Sequence, residues 1–104
     1  MPAGLILRFA GKGRADYDAV NEKLNINMDA GSGDWPPGLL SHAAGEANGA
    51  LCVIEVWESR EAQGRFMEGR LGRALREAGV SAVPEITWIE PLISYHTPGV
   101  PARQ

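Results

Sequence analysis

The sequence predicts an α+β fold of the ferredoxin-like βαββαβ type, an antiparallel sheet with two helices on one of its faces. Three observations predict it. Two largely apolar runs, Leu39 to Glu46 and Leu51 to Glu58, flank Ala47-Asn48-Gly49, and an Asn-Gly pair readily supplies the positive φ angles of a hairpin turn. One segment with apolar residues spaced three and four apart precedes that hairpin and another follows it. A short apolar strand begins this pattern and another ends it, so the order is strand, helix, strand, strand, helix, strand.

Each element has its own local reason. Leu5-Ile6-Leu7-Arg8-Phe9 is an apolar run with one charge, ended by Gly11-Lys12-Gly13, and reads as the first strand leaving into a turn. From Asp16 to Leu24 the residues Tyr17, Val20 and Leu24 share one helical face, with Asp16 at the positive end. Asn25 to Gly38 holds three glycines and Pro36-Pro37, so it is read as a long loop, and loops of that length inside a small domain often cover a site. Ser59 caps the second helix, whose apolar series runs Ala62, Phe66, Met67, Leu71, Ala74, Leu75, Ala78 before Gly79 stops it. Gly64, Gly69 and Gly72 lie inside that helix, each costing up to about 1 kcal/mol against alanine. Pro84 opens the last strand, Glu85 to Glu90, and Leu92 to Tyr95 continues it as an edge, a bulge or a dimer arm.

Composition narrows the function classes. A chain of 104 residues, 44% hydrophobic and 22% charged, is one globular domain, assigned to residues 1–97 with a loose tail over 98–104. The net charge of -3 and the absence of a basic stripe argue against nucleic acid. No apolar run spans a membrane and no signal-peptide layout opens the sequence, so the expected location is cytoplasmic. One cysteine, Cys52, excludes an internal disulfide and a multi-cysteine metal site, and the two histidines stand 54 positions apart without an acidic cluster. Neither a metal nor a nucleotide cofactor is implied.

Strand parity locates the candidate chemistry. Glu55 shares parity with Val53 and Trp57, so it points to the helix-covered side, where burial among apolar groups desolvates a carboxylate. His42 lies in the strand paired to it, and an imidazole titrating near neutrality is a candidate general base. Either residue has an ordinary alternative: a histidine satisfied by one hydrogen bond, and a carboxylate paired with Arg8 or another arginine. Arg8, His42 and Glu55 together form the expected polar nest, with Tyr17, Met28, Trp35, Trp57, Phe66, Met67 and Trp88 as walls for a flat hydrophobic ligand. His96, after the last strand, is expected to be exposed. The alternate face, with Cys52, Ile54 and Val56, is also apolar and has no helix to cover it, which implies a homodimer of facing sheets.

Val53-Ile54-Glu55-Val56-Trp57-Glu58-Ser59-Arg60-Glu61-Ala62 resembles the strand-to-helix signature of the dimeric α+β barrel superfamily, specifically of antibiotic-biosynthesis-monooxygenase-like domains. The resemblance covers the chain from Leu5 to Tyr95. It implies a cofactor-independent enzyme, a monooxygenase or a cyclase/isomerase, acting on a small aromatic or polyketide-like substrate between sheet and helices. The alternative is a non-catalytic small-molecule-binding or dimerisation module. Many relatives carry a histidine nine or ten residues after the tryptophan, where this chain has Phe66 and Met67, so a haem site is not implied.

Overall fold

The N-terminal apolar run forms β1 (Ala3–Ala10) in the computed structural model, which describes residues 2–96 and 98–99. After it come α1 (Arg14–Leu24), a miniature hairpin of β2 (Ile26–Asn27) and β3 (Ser32–Gly33), then β4 (Leu39–Ala47) and β5 (Ala50–Trp57). The second helical layer is α2 (Arg60–Phe66), a π-helical turn over Met67–Leu71 and α3 (Gly72–Glu77), running on without a break, and β6 (Glu85–Ile89) closes the order. The main sheet has the order β4-β5-β1-β6 with every neighbour antiparallel, which is the expected ferredoxin-like arrangement.

The central hairpin sets the geometry of everything above it. Asn48 (φ 51°) and Gly49 (φ 74°) make a two-residue turn of the primed kind, whose twist matches that of the flanking strands. That turn pairs Ala47 with Ala50 and, counting outward, His42 with Glu55. A turn longer or shorter by one residue would send His42 to the other face. A bulge at Leu40 follows, so that Leu39 comes opposite Trp57.

Gly13 caps α1, and Asp16 three residues on accepts from the Gly13 amide at 3.0 Å, while the Glu46 carboxylate accepts from the Arg14 amide at 3.0 Å. A carboxylate at each of these free amides suits the positive end of the helix. Ser59 accepts from the Ala62 amide at 3.1 Å and starts α2. The core lies between helices and sheet, with Leu5, Leu7, Phe9, Leu51, Val53, Trp57 and Ala62 in one cluster and Val20, Leu24, Ile26, Ala74 and Val80 in the next.

Three expectations need correction. The segment from Asn25 to Gly38 is not structureless: the β2–β3 hairpin folds it back, and Asn25 in the left-handed region (φ 60°) ends α1 to allow this. Gly38 (φ 92°) then lies so close to Ala62 that a Cβ would sit 2.7 Å from it, which holds the end of this cover against α2. The second helix widens to a π turn over Met67–Leu71, a feature no apolar spacing reveals. Leu92 to Tyr95 forms no strand, with Ile93 94% exposed. Thr97, the last residue of the expected domain, and residues 100–104 of the expected tail lie outside the described residues. Among the described residues no helix is long and apolar enough to cross a membrane.

Candidate active site

Because β4 and β5 pair with His42 opposite Glu55, both side chains rise from the sheet toward the helices. The Glu55 carboxylate is held from two sides: the indole N–H of Trp57 donates to its Oε1 at 2.9 Å, and its Oε2 lies 2.7 Å from His42 Nδ1. An indole nitrogen only donates, and an ionised carboxylate only accepts, so the Nδ1 that faces Glu55 carries a hydrogen. In the neutral ring the remaining nitrogen, Nε2, is then a lone pair. It lies 2.6 Å from the Tyr17 hydroxyl, which donates to it. The result is a directed chain, Trp57 to Glu55 and Tyr17 through His42 to Glu55, with side-chain exposure of 13% at His42 and 8% at Glu55.

Tyr17 enters from α1, and Val20, Asn21 and Leu24 follow on the same buried side of that helix. Burial raises the Tyr17 phenol above its ordinary value of 10.0, and the charges of Glu55 and Asp18 push the same way, whereas Asn21 and Arg14 oppose them. Tyr17 therefore remains a phenol, able to donate, throughout the neutral range.

The relay stands at the neck between two spaces. Inward is a cavity of about 70 Å³ lined by Leu7, Phe9, Val20, Val53, Phe66, Leu71 and Val80, with Lys12 and Asp16 on its rim beside Tyr17. Outward is a groove of about 930 Å³ between α1, the β2–β3 cover and β4, bordered by Arg14, Asp18 and Glu46. Tyr17, Asn21, Met28, Trp35 and His42 line both. Trp35 meets His42 edge-on with ring centres 6.0 Å apart, and its indole donates to the Gly31 carbonyl at 3.1 Å. Arg70, from the π turn, donates to the carbonyls of Leu24 (3.1 Å) and Asp34 (2.6 Å) and so ties the cover to the second helical layer.

The site is thus assembled from some of the expected residues and not from others. His42, Glu55, Tyr17, Met28, Trp35 and Phe66 come together around the cavity. Arg8 does not: its parity matches Ile6 rather than Leu7, so it lies on the opposite face, bridged to Glu85 at 3.5 Å and donating to the Asn48 carbonyl. Trp57 is wholly buried beneath the pocket and serves it by holding Glu55. Met67 packs against the core cluster, Trp88 carries the Arg60 guanidinium 4.4 Å above its ring, and neither lines the cavity or the groove. Cys52 is a free thiol on the far face, and His96 is exposed. Among the described residues no group of three or more histidine, cysteine or acidic side chains is arranged to hold a metal. Sequence reasoning missed the bond from Tyr17 to His42 and the place of Asn21, although the spacing of Tyr17 and Asn21, four apart on one helix, was available to suggest a shared side.

These features define a class of protein: a ferredoxin-like α+β domain with a hydrogen-bonded Tyr17–His42–Glu55 chain opening onto an apolar pocket between sheet and helices. No family model matches the sequence, and no curated protein sequence is significantly similar to it. Solved structures are similar in fold. Rv0793 from Mycobacterium tuberculosis superposes with a TM-score of 0.62 at 19% identity, over 92% of this chain and all of that one (100%). SnoaB from Streptomyces nogalater, a cofactor-independent oxygenase, gives 0.59 at 14% identity over 95% and 98% of the two chains. The ActVA-Orf6 monooxygenase of Streptomyces coelicolor, solved with nanaomycin D, gives 0.56 at 20% identity over 91% of each. The chain thus shares the ferredoxin-like fold of solved antibiotic-biosynthesis-monooxygenase-like proteins.

Proposed function

We propose that the protein is a cofactor-independent oxygenase of a small aromatic, polyketide-like compound bearing an ionisable hydroxyl, with His42 as the base. The observation that carries this reading is the Tyr17–His42–Glu55 relay at the mouth of an apolar cavity. The fold shared with an oxygenase described as cofactor-independent, and with a monooxygenase solved in complex with nanaomycin D, supports it.

In this reading the substrate hydroxyl passes its proton to the Tyr17 oxygen as the Tyr17 proton moves to His42 Nε2, and Glu55 steadies the imidazolium formed. The ring carbon made electron-rich by ionisation gives one electron to dioxygen, and the two radicals join through a new C–O bond. The imidazolium returns its proton to the peroxide. Loss of hydrogen from that carbon with cleavage of the O–O bond leaves a carbonyl and releases water, so that a C–H becomes C=O and dioxygen supplies both oxygens. The pocket contributes orientation and a dry wall. At about 70 Å³ the inner cavity is smaller than the roughly 150 Å³ that admits benzene, so a bicyclic substrate meets Tyr17 and His42 from the outer groove and enters the inner cavity only when the Met28–Trp35 cover moves outward.

The reading includes a homodimer. Ile6, Ile54, Val56 and Ile89 share the face that no helix covers, with Ile54 54% and Ile89 40% exposed, and a second copy laid sheet to sheet would remove them from water.

Oxygen consumption by purified protein given hydroxylated bicyclic and tricyclic aromatic ketones tests the reaction. The expected result is uptake of one dioxygen per quinone formed. Product formation without oxygen uptake would replace it with a cyclase or isomerase, and tight binding without turnover would leave a binding module.

A further inference from the structure

We propose that Asn21 is a substrate-positioning residue that donates its side-chain N–H to a carbonyl oxygen, so that the ligand must carry an acceptor oxygen as well as its ionisable hydroxyl. The inference rests on the reading of His42 and Tyr17 above and adds to it a second recognition point.

Asn21 is 7% exposed, and its Nδ2 is the buried side-chain polar atom that finds no hydrogen-bond partner among the described residues. Buried donors are almost always satisfied, so an orphan of this kind marks a place where another molecule completes the set. Its position says where that molecule lies. Asn21 stands one helical turn beyond Tyr17 and lines both the inner cavity and the outer groove, at the neck where the relay sits. Its chemistry says which group completes it, because an amide NH₂ donates and does not accept. The neighbouring inner walls, Val20, Leu24, Ile26 and Leu71, offer no acceptor side chain, and the Tyr17 oxygen, near enough for Asn21 to lower its phenol, makes no well-formed hydrogen bond to Nδ2. The group is therefore an oxygen acceptor on the ligand, and a ring carbonyl is the acceptor that an oxidisable hydroxyarene of polyketide type can present beside its hydroxyl.

A matched pair of probes isolates this contact. 7-Hydroxy-1-tetralone and 5,6,7,8-tetrahydro-2-naphthol share ring system and hydroxyl and differ in the carbonyl alone, which is meta to the hydroxyl and so not conjugated with it. Titration calorimetry on the full chain should give tighter binding of the ketone by about tenfold, the worth of one well-placed hydrogen bond in a desolvated site. Asn21→Leu should abolish that preference while leaving the affinity for the tetrahydronaphthol and the melting temperature no lower than in the parent. Asn21→Asp, of the same shape but with the donor replaced by an acceptor, should reverse the preference and keeps the test available if the leucine variant does not fold. Equal binding of the two probes by the parent protein, or a preference that survives in both Asn21 variants, would overturn the inference. If in that case both probes still lose affinity in His42→Ala, the hydroxyl relay stands and Asn21 alone is wrong; if neither probe binds the parent at all, both readings fall.

Discussion

The two faces of the central sheet are built from the same strands and differ only in which alternate residues they show. The covered face takes Leu5, Leu7, Val53, Glu55 and Trp57, and within it every polar group of the relay has a partner at 2.6–2.9 Å. The open face takes Ile6, Arg8, Ile54 and Val56, and its charge, Arg8, is paired with Glu85 at the rim while Ile54 is 54% exposed. Burying polar groups is tolerable on the first face because they satisfy one another, and exposing apolar groups on the second is what a contact surface looks like in the isolated chain. In the proposed reading, chemistry and assembly are separated by a single residue step along each strand.

The strongest way to break this comparison is to remove the proposed base from the covered face. His42→Ala should lower turnover by about 10²–10⁴-fold, the usual contribution of a general base, with the oligomeric state unchanged. Sedimentation run beside the oxygen-uptake assay checks both halves, and turnover equal to that of the parent would leave His42 as a packing residue. Glu55→Ala reaches further, because it orphans the Trp57 N–H and the His42 Nδ1–H together. Denaturant unfolding should show a loss of about 2–5 kcal/mol, and a loss below about 1 kcal/mol would mean that the carboxylate is not holding the two.

The covered face was more legible in the sequence than the site set upon it. Parity along Val53-Ile54-Glu55-Val56-Trp57 was enough to put Glu55 beneath the helices, and Asn48-Gly49 was enough to give the hairpin. Facing His42 toward Glu55 required the turn to consume two residues, which those dipeptide propensities favour. Arg8 was misplaced although the same parity rule, applied to Leu7 and Phe9, sends it outward; grouping it with His42 by chemical type overrode its position. Tyr17 with His42, and Asn21 between cavity and groove, depend on how α1 crosses the sheet, and that crossing is set by tertiary packing that no local pattern encodes. The π turn was hidden for the same reason, since Met67–Leu71 has ordinary helical composition apart from Gly69.

The open face is broken by charge. Ile54→Lys adds an ammonium to each copy at a two-fold interface, so the penalty is counted twice, and a micromolar sample should sediment as a monomer whose isolated chain remains folded. A parent protein that is itself a stable monomer at that concentration would show that the apolar face needs no second copy.

Between the faces stands Tyr17, whose phenol is raised chiefly by burial. A group with its folded value above its unfolded one holds its proton more tightly in the folded chain, so its contribution to stability is complete below the ordinary value of 10.0 and is lost as pH rises through the folded value. Stability of the parent should therefore fall more steeply above about pH 10 than that of Tyr17→Phe, measured by denaturant midpoints along the pH series. Parallel curves would show that the hydroxyl is not withheld from water.

The smallest effect sharpens the comparison from its outer side. A sheet-to-sheet dimer leaves the back of the helical layer in solvent, whereas a helix-to-helix dimer would bury it. A Cβ added at Gly64 in α2 meets nothing within 4 Å in the single chain, and the glycine has a helical environment that asks for no special backbone freedom. If that back is in solvent, Gly64→Ala removes unfolded-state entropy without a clash and should stabilise the protein by about 0.5–1 kcal/mol, read as a rise in melting temperature. A second copy packed on the helices would meet the new methyl instead, so that a loss of stability together with weaker self-association would move the interface from the strands to α2.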